Sequence, residues 1–205
     1  YNFVHTMNHM GNPDTMIIDP VLKYRVVAHT IPPVESEVIT IQPGEHTIIP
    51  LITPQGKLKI ILNTKKDYQF IVRKAGENTT INVQNINKEQ NYITGLYDIE
   101  LLTLPRQYFK DVRINQNQLT KLQLPSTGLA NVLLPANGYG GVYLNDGDKL
   151  EEIYKFNGES NQYKLTLLPA KYTVIYRAKS SKKYIYSNEK SFTIKSGKSQ
   201  LIKIY

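Results

Sequence analysis

The chain repeats itself. Tyr24, Thr30, Pro32, Ile41, Thr47 and Leu51 recur without a gap 73 residues later as Tyr97, Thr103, Pro105, Ile114, Thr120 and Leu124. A third copy supplies Tyr172 at an offset of 75, then Phe192, Ile194, Gly197, Ile202 and Ile204 at an offset of 80. The five extra residues fall in the connector AKSSKKYIYSNEK. A period of about 75 residues means that one supersecondary plan serves every copy, so any fold proposed for one must suit all three.

Within each copy apolar and polar residues alternate, as a strand with one buried face requires. Tyr24, Val26 and Ala28 correspond to Tyr97, Ile99 and Leu101 and to Tyr172, Val174 and Tyr176, and all are expected to point inward. A second strand follows at Ile39 and Ile41, Val112 and Ile114, or Phe192 and Ile194, and a third at Ile49 and Leu51, Leu122 and Leu124, or Ile202 and Ile204. Gly44, Asn117 and Gly197 sit in the turn between those two strands. Gly and Asn take positive φ most readily, so a structural turn of that geometry is expected at all three.

The front half of a copy opens at Gly56 with KLKIIL and at Gly128 with LANVLL, each just after a Pro-containing linker. Further strands are expected at 68–73, 80–84 and 92–93, and at 141–144, 152–156 and 163–168. About seven short strands per copy make the fold class all-β, a tandem array of small antiparallel β-sandwiches. The expected division is 1–51, an N-terminal segment plus the closing strands of a truncated unit; 52–124, a sandwich; and 125–205, a second sandwich. The sequence opens at Tyr1 and is read as a fragment, with the front half of the first copy expected upstream. Phe3, Val4, Met16, Ile17 and Ile18 are the expected cover for that copy's apolar face.

Composition agrees with strands: fifteen tyrosines with abundant Thr, Val and Ile suit a pleated, half-buried surface. The absence of cysteine excludes a disulfide framework and thiolate metal sites. No apolar run reaches the roughly 20 residues that span a bilayer as a helix. The net charge of +8 is uneven. Residues 1–51 carry two Lys/Arg against five Asp/Glu, residues 52–124 eleven against six, and residues 125–205 twelve against six. A basic surface of that kind attracts an anionic polymer; lysines also keep exposed strand edges from pairing, and their alternation with apolar residues favours this second role.

No catalytic constellation is present. There is no GxSxG serine, no cysteine nucleophile, and the pair Glu151-Glu152 points to opposite faces of a strand. His5 and His9 have i, i+4 spacing but lie in loop-like sequence without the HExxH glutamate, and His29 and His46 fall at strand and turn positions. Asn137-Gly138-Tyr139-Gly140-Gly141 reads as a hairpin or bulge and not as a phosphate loop, because a strand and not a helix follows it. Asn145-Asp146-Gly147-Asp148 reads as a hairpin turn, lacking the spaced ligands of a calcium loop. Hence no cofactor and no metal are expected. Lys179, Lys182, Lys183, Tyr184 and Tyr186 are the one dense interleaving of cations and aromatics, a candidate ligand-contact surface for sugars or bases.

The strings YRVVAHTIPPV, VITIQPGEHTIIPL, YDIELLTLPR and KSFTIKSGKSQLIKIY resemble the C-terminal tandem region of bacterial cell-envelope proteins that carry a von Willebrand factor A domain. They are similar more broadly to transthyretin-like and PEGA-like sandwich modules. The resemblance covers roughly residues 20–205. It implies an extracytoplasmic bacterial location, in the periplasm or at the cell surface, and a non-catalytic module that positions or anchors a partner domain. The partner expected is a protein or an anionic envelope polymer, with no specific nucleic acid. The D-x-S-x-S metal motif of an A domain is absent, so nothing of that site carries over. Two other readings stand beside this one: a glycan-binding module using the Tyr/Lys loop, and an accessory domain of an enzyme lying upstream.

Overall fold

The computed structural model describes residues 2–7, 15–181 and 187–205, and among these it contains strands and turns but no helix. The chain divides into two compact units, residues 1–29 with Pro33–Thr53, and Thr30–Pro32 with Pro54–Tyr205.

The smaller unit holds four two-residue strands, β1 (Lys23–Tyr24), β2 (Val27–Ala28), β3 (Val34–Glu35) and β4 (Ile39–Thr40). β1 pairs with β4 and β2 with β3, both antiparallel. The alternation is real, with Tyr24, Val26 and Ala28 more covered than their neighbours, but none of them is fully buried. Of the residues expected to cover this face, Phe3 (81 % exposed), Val4 and Ile17 are exposed, whereas Met16 and Ile18 are half-buried. Residues 2–7 and 15–19 adopt no strand that could lie across the hairpin.

The larger unit carries two seven-stranded sandwiches. The first comprises β5 (Gln55–Ile61), β6 (Gln69–Lys74), β7 (Thr80–Asn85), β8 (Gln90–Ile93), β9 (Gly95–Leu101), β10 (Gln107–Ile114) and β11 (Leu119–Gln123). The second comprises β12 (Gly128–Leu133), β13 (Gly138–Asp146), β14 (Lys149–Lys155), β15 (Gln162–Leu167), β16 (Ala170–Ala178), β17 (Asn188–Ile194) and β18 (Ser199–Lys203). Their sheets have the same order. A three-stranded sheet places the first strand between the seventh and the fourth (β11-β5-β8 and β18-β12-β15), and a four-stranded sheet runs sixth, fifth, second, third (β10-β9-β6-β7 and β17-β16-β13-β14). All pairs are antiparallel except the first and seventh strands, which run parallel in both sandwiches. These strands are joined through the whole of the other sheet, which is the long crossover a parallel pair needs.

Each sandwich buries one apolar cluster between its sheets. Leu58, Ile60 and Tyr92 face Phe70, Val72, Tyr97, Ile99 and Leu101 in the first. Ala130, Val132, Leu165 and Ile202 face Val142, Tyr172, Val174 and Phe192 in the second. Two glycines fix how the first strand meets the turn after the sixth. A Cβ on Gly56 would lie 2.1 Å from the Asn115 carbonyl oxygen, and one on Gly128 2.7 Å from that of Lys198. The close approach lets Lys57 N–H reach the Gln118 carbonyl (2.8 Å) and Leu129 N–H that of Lys198 (2.9 Å). The same turns carry the positive φ of Asn117 (56°) and Gly197 (66°), and Gly44 has 75°.

The segment 137–141 differs from the expected hairpin or bulge. Residues 138–141 belong to β13, a central strand in continuous register with β16 from Gly138↔Ala178 to Leu144↔Tyr172. Glycine is needed because β16 passes so close, a Cβ on Gly140 lying 2.0 Å from the Ile175 carbonyl oxygen and one on Gly138 2.3 Å from that of Arg177, and because Gly140 has the unusual backbone angle expected of these glycines, φ 128°. The turn at 147–148 does join β13 to β14 as a two-residue hairpin, with Asp146 opposite Lys149 and Gly147 at φ 64°.

Candidate functional site: the joint between the sandwiches

The repeated Thr-x-Pro triplet is a small hook. Thr103 Oγ1 donates to the Pro105 carbonyl at 2.8 Å, and Thr30 Oγ1 to the Pro32 carbonyl at 2.7 Å; both X–Pro bonds are cis. Hydroxyls that bond their own backbone two residues on are a standard way of holding a short turn. The turn presents the residue between, Leu104 or Ile31, at its apex.

What the apex meets lies four residues before a repeated tyrosine. The Leu168 N–H donates to the Leu104 carbonyl at 2.9 Å, and the Ile93 N–H to the Ile31 carbonyl at 2.8 Å. Tyr172 and Tyr97 then donate their hydroxyls back to the carbonyls of the same two residues, Leu168 (2.5 Å) and Ile93 (2.6 Å). A tyrosine that ties its hydroxyl to the backbone a few residues upstream also marks the corner of immunoglobulin-type sandwiches. Here that corner is where the hook docks. Burial raises the pKa of Tyr172 and Tyr97, so both hydroxyls remain donors across the physiological range.

Within 54–205 the hook joins the two sandwiches by exchanging leucines. Leu168, which follows the fourth strand of the second sandwich, is buried in the core cluster of the first, while Leu104 packs on the core cluster of the second. Two further bonds flank the exchange: Tyr68 hydroxyl to the Thr166 carbonyl (3.3 Å) and Thr127 N–H to the Asn63 carbonyl (3.2 Å). Ile31, in the segment Thr30–Pro32 that groups with this unit, packs on the first core in the same way. Covering an apolar side chain of this size contributes about 1.5–3 kcal/mol, so the leucine pair outweighs any one of the accompanying hydrogen bonds.

The exit of the hook is pinned by charge. Glu100 on β9 accepts from Arg73 Nη2 at 2.9 Å, from Arg106, the residue after Pro105, and from the Tyr108 hydroxyl at 3.4 Å. Burial by itself would raise the Glu100 pKa. The hydrogen bonds and charges of Arg73 and Arg106 outweigh it and hold the carboxyl below its usual range. On the same strand Asp98 accepts the N–H groups of Gly76 and Asp111, the latter at φ 54° in a bulge of β10. Those backbone bonds lower its pKa.

The residues singled out from sequence fall elsewhere. Lys182, Lys183, Tyr184 and Tyr186 lie outside the described residues, as does His9. Lys179 is exposed and its N–H donates to the Asn137 carbonyl at 3.1 Å. By the 75-residue offset it occupies the apex position of Leu104, with Ala178 and Ser180 in place of the hook's Thr and Pro. Among the described residues no group of three His, Cys, Asp or Glu could hold a metal ion. The joint itself went unassigned in the sequence, although Thr30/Thr103 and Pro32/Pro105 were visible as identities of the repeat. The signal that could have found it is the pair of aliphatic residues four positions before Tyr97 and Tyr172.

No protein-family model and no curated protein matches the chain. Solved structures similar to it include GBS52, the minor pilin of the gram-positive pathogen Streptococcus agalactiae. That likeness has 10 % sequence identity and a TM-score of 0.38, covering 73 % of this chain and 94 % of that one. The Bacillus anthracis TIE protein is similar at 19 % identity and a TM-score of 0.29, covering 74 % of this chain and 33 % of that one. Likeness at this level assigns no role to the chain.

Proposed function

We propose that this chain is a non-catalytic spacer of a bacterial surface or envelope protein, whose tandem sandwiches hold a partner domain at a set distance and angle. The joint carries this reading. A flexible linker would suffice to tether a partner, whereas exchanged leucines and three hydrogen bonds across 63–68, 104, 127 and 166–168 restrict how one sandwich turns against the other. The envelope location rests on the resemblance of the repeat strings.

The test uses the lack of native cysteine. Spin labels at Glu77→Cys and Glu159→Cys, one exposed site on each sandwich, report the distance between the sandwiches. A narrow distance distribution is expected, broadening in the pair Leu104→Ser with Leu168→Ala while the strand content by circular dichroism is kept. A distribution already broad in the parent protein would overturn the spacer reading.

A further inference from the structure

Residues 23–40 form the same hairpin as the fifth and sixth strands of the first sandwich, position for position. Tyr24↔Ile39 matches Tyr97↔Val112, and Ala28↔Val34 matches Leu101↔Gln107. Between them Ser36 N–H donates to the Val26 carbonyl at 2.8 Å, where Phe109 pairs with Ile99. What differs is the layer across from it. Tyr97, Ile99 and Leu101 are buried against Leu58 and Ile60 of the facing sheet and Phe70 and Val72 of the neighbouring strand, and Tyr172 and Val174 against Ala130 and Val132 of the facing sheet and Val142 of the neighbouring strand. Tyr24, Val26 and Ala28 are half-covered, and no described residue of the smaller unit is fully buried.

Among the described residues the hydrogen-bonding edges lack strand partners in the same places. In both sandwiches the fifth strand pairs with the second and the seventh runs parallel to the first. β1 and β2 have no partner on that second side among the described residues, and residues 47–51, which match the seventh strand, lie in no strand.

We propose that residues 23–51 are the acceptor half of a sandwich, completed by a polypeptide segment with the pattern of a first and second strand. The segment's second strand lies antiparallel to 24–28, as β6 lies on β9, and its first runs parallel to 47–51, as β5 runs beside β11. The complete sandwiches within the same chain define this occupant twice over. The front halves of 54–205 are engaged in their own cores, so the donor is a segment other than these. Main-chain pairing supplies the attraction and the alternate apolar side chains supply the selectivity, as in other strand additions.

The full chain carrying a second copy of residues 54–92 at its N-terminus tests this by hydrogen exchange. Amides of 24–28 and 47–51 are expected to exchange about tenfold more slowly or better than in the unextended chain. The same extension with Leu58, Ile60, Phe70 and Val72 of the added copy changed to Ser should leave them fast. The proposal is overturned by equal exchange in all three proteins, or by an unextended chain that already protects 24–28 as strongly as 97–101. Neither result bears on the leucine joint, which lies in other residues.

Discussion

The two sandwiches share one strand order and fill it differently. The first keeps polar chemistry inside: the Tyr92 hydroxyl donates to Gln84 Oε1 at 2.8 Å and accepts from Asn82 Nδ2 at 2.8 Å, while Gln84 Nε2 donates to the carbonyls of Leu58 and Lys88. The second packs rings instead, with Phe156 and Tyr163 stacked at 4.5 Å between centroids and Tyr154 edge-on to both. The topology therefore does not depend on either solution. It depends on what both have, inward alternation at the repeated positions and a glycine where the first strand meets the last turn.

Removing the ring that the second sandwich relies on should break the comparison most severely. Phe156→Ala deletes a buried, stacked side chain and should cost about 3–5 kcal/mol, because the cavity it leaves can collapse only partly. Urea unfolding followed separately by amide signals of β15 and β8 is expected to show the loss in the second sandwich. Equal loss at β8 would mean that the two cores unfold as one.

The polar core of the first sandwich has its own signature, in alkali. Burial pushes the Tyr92 pKa up to about 12 from 10, despite the Asn82 bond that pulls it down. A hydroxyl that must stay neutral when folded contributes stability that is intact below pH 10 and lost as the pH rises from 10 through 12. A shift of two units corresponds to about 3 kcal/mol at the end of that window. Tyr92→Phe should flatten this fall over pH 10–12, apart from any constant cost of the lost hydrogen bonds. An unchanged slope would place the alkaline sensitivity in other tyrosines, Tyr172 first among them.

The hook is the third difference. Thr103→Val leaves the buried Pro105 carbonyl without its donor and should lower stability by about 1–2 kcal/mol in thermal or urea unfolding. Leu104→Lys, which copies what Lys179 places at that position in the second sandwich, should loosen the joint and broaden the label distances while leaving both cores folded. If Leu104→Lys keeps a narrow distribution, the apex side chain is not what holds the sandwiches together.

Much of this was legible in the sequence because strands with one buried face write themselves as alternation. Tyr97, Ile99 and Leu101, and Tyr172, Val174 and Tyr176, are buried as that pattern implies, and the strands expected at 80–84 and 163–168 differ from those observed by a residue at one or both ends. The joint was legible only in part: the aliphatic pair Ile93 and Leu168 before the repeated tyrosines marks the position, but nothing local in Leu168 says that its side chain belongs to the neighbouring core. Residues 137–141 misled for a related reason: glycines that serve close packing of two strands look, in sequence, like glycines that serve a turn. Phe3, Val4 and Ile17 misled because apolar character shows a need for cover without saying what provides it.

The smallest expected effect lies in the turns, where the two sandwiches use different residues for the same backbone. Asn117 and Gly197 have φ of 56° and 66°, and a Cβ added at 197 would meet nothing within 4 Å. Any penalty there is therefore conformational and not a clash with the surroundings. Val at 197 should cost about 1–2 kcal/mol, since a β-branched side chain collides with its own backbone in the left-handed region. Gly197→Asn and Asn117→Gly should each change stability by no more than about 0.5 kcal/mol. Asn tolerates the geometry, and what glycine gains in the fold it loses to a more flexible unfolded chain. Urea midpoints of the three variants decide it: if Gly197→Asn falls as far as Gly197→Val, side-chain packing rather than backbone conformation governs this turn, and the equivalence of Asn117 with Gly197 fails.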